Sequence, residues 1–158
     1  MSTYAAKTQV SPEKSRMEIE QTLRRYGADA FGFGQDGSRA IVTFRAHGRA
    51  VRFEIPVPTA SEHRYDHHGY TRTEKQIETA RAQAERQRWR AMLLMIKAKL
   101  EAVESGIVTF QEEFAVHFVL PDNTTVGEWL LPQVDHAYET GQMPALLPGI
   151  PALTEGAG

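Results

Sequence analysis

Apolar residues near the start of the chain recur at helical spacing, at Ile19, Leu23 and Tyr26. Ser11 suits the cap, Pro12 the first helical position, where no amide partner is needed, and Gly27 the stop, so a helix is predicted over residues 12–26. The period then shortens to two. Phe31 and Phe33 in "DAFGFG" share a face, Asp36 and Gly37 suit a tight turn, and "RAIVTFRA" follows as a β-rich run. His47 and Gly48 mark a second turn. After it, "RAVRFEIPVP" sets Val51, Phe53, Ile55 and Val57 against Ala50, Arg52 and Glu54, as in a strand with one buried face. Together the three runs predict an antiparallel meander.

Residues 58–73 hold no sustained apolar period and are predicted as a long exposed loop or hairpin tip. Thr73 and Gln76 have capping-box spacing, nothing interrupts residues 74–104, and Ser105 with Gly106 ends the run, which predicts one long helix. Its second half carries an apolar stripe of Trp89, Leu93, Ile96, Leu100 and Val103, whereas the first half is charged nearly all round and is read as a solvated face with internal Glu and Arg pairs, the alternatives being that it extends beyond the body or pairs with another helix. Beyond it, Thr109 suits the cap of a short turn through "FQEEF", and "HFVLPDNTTV" predicts a short strand and turn. Residues 126–140 predict a helix that Pro132 bends or splits.

The fold class is therefore α+β: an N-terminal helix, a three-stranded antiparallel meander, a long helix, then a short strand and turn and a kinked C-terminal helix. The expected organisation is a flexible stretch over residues 1–10, one domain over 11–142, and a proline-rich, partly disordered tail over 143–158. The length of 158 residues suits one domain with its own core, and 41% hydrophobic with 24% charged residues suits a globular chain. Cysteine is absent, so disulfides, thiolate metal sites and a cysteine nucleophile are excluded, in keeping with a reducing cytoplasm. The longest apolar run, "AMLLMI", is too short to span a bilayer, and a cytoplasmic location is expected. A formal charge of −2 provides no global attraction for nucleic acid, which leaves local patches.

One such patch is predicted on the outward face of the meander, where Arg39, Arg45 and Arg52 gather, and a second on the long helix, with Arg81, Arg86, Arg88 and Arg90. Guanidinium groups grip phosphates in this way. The segment "EHRYDHHGY" concentrates histidines and tyrosines. It lacks the supported, spaced ligands of a metal site, so no metal or other cofactor is expected, and His63, Tyr65, His67, His68 and Tyr70 are read as a partner-binding loop. Trp89, at the junction of the two halves of the long helix, and Leu146 and Leu147 in the tail are expected at a homo-oligomer contact. No nucleophile, phosphate-loop or dinucleotide motif is present, and the adjacent Glu112 and Glu113 lack an evident partner, so a non-enzymatic role is expected. The leading reading is binding of nucleic acid without strong sequence preference. Its alternative is a protein-binding adaptor or inhibitor, and a metal-dependent enzyme using the histidine-rich loop ranks behind both.

Three stretches, "YAAKTQVSPEKSRMEIEQTLRRYGA", "RWRAMLLMIKAKLEAVESGIVTFQEEF" and "TVGEWLLPQVDHAYETGQMPALLP", give the chain a resemblance to small uncharacterised proteins of bacteriophages and prophages over nearly its whole length. The resemblance implies a cytoplasmic accessory protein acting on DNA, replication or host defence. It brings no catalytic motif and no ligand set.

Overall fold

The computed structural model describes residues 5–36 and 38–143. Helix α1 (Pro12–Arg25) begins as its sequence dictates, with the Ser11 hydroxyl accepting from the Lys14 amide at 3.2 Å and proline in the first turn. Gly27, at φ 90°, ends it in a conformation that other residues resist. Strands β1 (Ala30–Asp36), β2 (Arg39–Ala46) and β3 (Arg49–Pro56) form an antiparallel sheet in that order, with Gly32, Thr43 and Arg52 in register across it. The turn between β2 and β3 places His47 and Gly48 at φ 51° and 72°, the two positive values that a two-residue hairpin needs.

Strand alternation sends Val42, Phe44, Val51, Phe53 and Ile55 to one face, where they form a single core with Ile19 and Leu23 of α1. The long helix α2 (Glu74–Glu104) adds Trp89, Leu93, Ile96 and Leu100, and the short α3 (Phe110–Phe114) adds two phenylalanines. Helices thus cover one face of the sheet, and the other stays polar. Trp89 lies within this core. It is 2% exposed, edge-on to Phe33 at 6.1 Å, with the Arg16 guanidinium over its ring at 5.0 Å. It is therefore not available as an oligomer contact, because one chain already buries it. Leu146 and Leu147 lie outside the described residues.

Two readings are corrected, the projection of α2 and the strand within residues 118–125. The first half of α2 does not project beyond the body: residues 80–87 are half-buried, and the Gln83 carboxamide donates to the carbonyls of Ala6 and Thr8 at 3.1 and 3.0 Å. Residues 5–10 thereby lie along α2, and Ala5 is buried. Residues 118–125 form no strand of their own. They make single bridges from Phe118 to Val51 and from Val119 to Thr125, around a turn with Asn123 at φ 67°. Helix α4 (Val126–Thr140) runs through Pro132 unsplit. Pro132 and Glu128, whose carbonyl would have received the missing amide, are both exposed, so water can replace that bond.

Candidate functional site

The polar face of the sheet brings the three predicted arginines to one side, but each meets acceptors of the chain itself. Arg39 pairs with Glu54 at 2.9 Å and Arg45 with Asp29 at 2.9 Å. The Arg45 hydrogen bond holds the Asp29 carboxyl below the ordinary carboxylate range. Arg52 is only 12% exposed and donates to the Asn123 carbonyl at 2.9 Å and to Glu128 at 3.2 Å. It joins the sheet to the start of α4. On α2, Arg81 lies between Glu78 and Glu85 at 2.7 and 2.9 Å, which raises its already high pKa, and Arg90 pairs with Glu18 at 3.1 Å. Arg88 is exposed, close enough for its charge to act on Glu62. Arg86 differs, since it donates to the neutral carboxamide oxygen of Gln83.

The histidine-rich segment is more ordered than its lack of periodicity suggests. A 3-10 turn (Ser61–His63) leads into a small hairpin closed by the Tyr65–Thr71 bridge and by the Arg72 amide donating to the Arg64 carbonyl at 2.9 Å. The Asp66 carboxylate accepts from the amides of His68 and Tyr70 at 2.8 and 2.9 Å, and these bonds, the Tyr70 amide foremost, depress its pKa. Gly69, at φ 86°, closes the turn. The His67 and His68 rings lie 3.8 Å apart, with Tyr70 6.5 Å from His68. His63 instead turns inward, with its Nε2 buried and without a hydrogen-bond partner among the described residues, and Tyr65 and Tyr70 are exposed. Among the described residues no three histidine or carboxylate side chains converge as a metal would require. Glu112 and Glu113 do have partners: Glu112 completes the Thr109 capping box, and Glu113 pairs with Lys99 at 2.8 Å.

The surface that sequence reasoning missed is on α4. The start of this helix is held: Gly127 is buried, and a Cβ there would stand 2.9 Å from the Val116 carbonyl oxygen. Beyond it, Leu131, Val134 and Tyr138 follow at intervals of three and four residues, so they share one face, and all are exposed, Leu131 at 54% and Tyr138 at 88%. Asp135 and Glu139 flank that face and make no ion pair among the described residues. A charge count was the signal available for this. Residues 100–158 hold nine carboxylates and no lysine or arginine, whereas all 18 basic residues precede them beside 11 carboxylates. No described helix is long and apolar enough to cross a membrane. No protein-family model, no curated protein and no solved structure matches this chain.

Proposed function

We propose that the chain is a non-enzymatic protein-binding adaptor that presents α4 to the surface of another protein. The exposed stripe of Leu131, Val134 and Tyr138 on a helix anchored at its start is the observation that carries this reading. An apolar stripe at three- and four-residue spacing is the pattern that partner grooves accept from a helix. The flanking Asp135 and Glu139 select the partner: an apolar groove rimmed by lysine or arginine. The same carboxylates disfavour docking on an anionic lipid surface, which attracts basic segments. In the phage setting implied by the resemblance, the partner is a host protein and the protein acts in the cytoplasm.

Capture of partners from cells by the full chain, set beside the double variant Leu131→Glu/Tyr138→Glu, provides the test. The purified partner should then bind the wild type in titration calorimetry, lose at least ~10-fold in affinity with the double variant, and weaken as salt rises. A captured protein that binds both forms equally overturns the reading.

A second reading, self-association, rests on the charge distribution: the basic surface that complements α4 is also present on the remainder of this chain. The leading expectation from the sequence, nucleic-acid binding by the sheet arginines, has less support, because Arg39, Arg45 and Arg52 are all matched by carboxylates.

A further inference from the structure

A groove of about 680 Å³ runs between the histidine-rich hairpin and the first half of α2, lined by Tyr70, Arg72, Lys75, Gln83 and Arg86 among others. We propose that it binds single-stranded nucleic acid, with phosphates on the three cations and bases against the hairpin aromatics. This site is separate from α4 and from the arginines of the sheet.

The cations of the groove are held differently from Arg39, Arg45, Arg52, Arg81 and Arg90, which pair with carboxylates. Arg72 is oriented by the carbonyls of His63 and Tyr65, at 3.2 and 3.1 Å, and Arg86 by the Gln83 carboxamide. Gln83 is fixed in turn, because its own donors go to the carbonyls of Ala6 and Thr8. These acceptors position the guanidinium groups without cancelling their charge, and spare donors remain on each. Lys75 makes no ion pair among the described residues. The one carboxylate on the lining, Asp66, is engaged by the amides of its own turn and makes no ion pair among the described residues, although its charge is felt at Arg72.

Spacing gives the site its direction. Lys75, Thr79, Gln83 and Arg86 fall at intervals of four, four and three residues, on one face of α2, and the two cations stand ~16 Å apart along its axis, a span of a few nucleotides. Beside that line is the aromatic set, with the His67 and His68 rings in tilted contact at 3.8 Å and leading to Tyr70, which is 73% exposed. An open basic track beside exposed rings suits unpaired bases, whose faces are free to stack, better than a duplex, whose bases are already stacked.

Fluorescence anisotropy of the full chain with labelled oligo-dT, a duplex of the same length and a poly-glutamate peptide tests the proposal. Oligo-dT should bind more tightly than either competitor, with log affinity falling against log salt at a slope of about −2, as three phosphate contacts to a single strand require. Lys75→Glu/Arg86→Glu should weaken binding by well over ~10-fold. Tyr70→Ala should lose about 10-fold, while Tyr70→Phe, which keeps the ring face, stays near wild type. Arg39→Ala/Arg45→Ala and Leu131→Glu/Tyr138→Glu should change nothing. All these positions are exposed except the half-buried Arg86, and circular dichroism verifies the fold of each variant. Absence of oligo-dT binding at low salt overturns the proposal, as does binding that survives the double charge reversal. Equal binding of poly-glutamate, indifferent to Tyr70→Ala, overturns it in favour of an acidic protein ligand.

Discussion

His117 illustrates how a position with no sequence pattern acquires a physical role. Its ring packs on Phe53 at 4.4 Å, half-buried, close to the Lys99–Glu113 ion pair. Burial pushes its pKa below the ordinary 6.5, Lys99 pushes the same way, and Glu113 partly opposes them. The folded state therefore prefers the neutral imidazole. Its contribution to stability is complete above the unfolded value of 6.5 and is lost as pH falls from there through the lowered folded value. The melting temperature should accordingly fall between pH 7 and 5, and His117→Gln should flatten that part of the profile. Below about pH 4.5 a separate loss begins, as Asp66, Glu112 and Glu128, each held low by hydrogen bonds to backbone amides, take up protons. An identical slope between pH 7 and 5 in both proteins would remove His117 from the account.

Between elements, the informative contrast is between Arg52 and Arg45, which share a sheet face and a sequence context yet serve differently. Arg52 spans from β3 to the Asn123 carbonyl and to Glu128, itself the capping partner of Thr125, so it fixes the entry to α4. Arg45 makes an exposed pair with Asp29. Removing Arg52 takes away a 12%-exposed guanidinium that makes charge-assisted hydrogen bonds to both the Asn123 carbonyl and Glu128, whereas removing Arg45 breaks one exposed pair with Asp29. Urea denaturation should show Arg52→Ala costing about 1–3 kcal/mol and Arg45→Ala within about 0.5 kcal/mol of wild type. Comparable losses in the two variants would contradict the assignment of Arg52 as a strut. The elements themselves were largely legible beforehand, since Ser11, Thr73, Thr109 and Thr125 all cap as their spacing predicts. Caps are local devices, satisfied within one turn of the backbone.

For the molecule as a whole, the separation of basic and acidic residues along the chain matters more than the net charge of −2. The carboxylates after residue 99 are carried in part by α4, which also exposes the apolar stripe. In the absence of a partner, that stripe is the surface on which copies would meet. Light scattering coupled to size exclusion should give a mass rising above the 17.7 kDa of one chain at high concentration. The rise should disappear in Leu131→Glu/Tyr138→Glu. A wild-type mass that stays at one chain would confine α4 to partners other than itself, whereas a rise that persists in the double variant would place the contact elsewhere.

By itself the sequence determined the fold class, the strand register faces, the helix ends and the core stripe of α2, because periodicity and capping act between residues close along the chain. The tertiary structure decided everything that depends on residues distant in sequence. Trp89 belongs to the core because Phe33 and Arg16 reach it, and Gln83 can orient Arg86 because residues 5–10 lie across α2. The three sheet arginines were correctly placed on one face, but whether their charge remained available depended on Asp29, Glu54 and Glu128. Those pairings separate neutral-held cations in the groove from carboxylate-matched ones on the sheet. Only packing could make that distinction, since guanidinium groups identical in sequence differ solely in what lies within hydrogen-bonding distance.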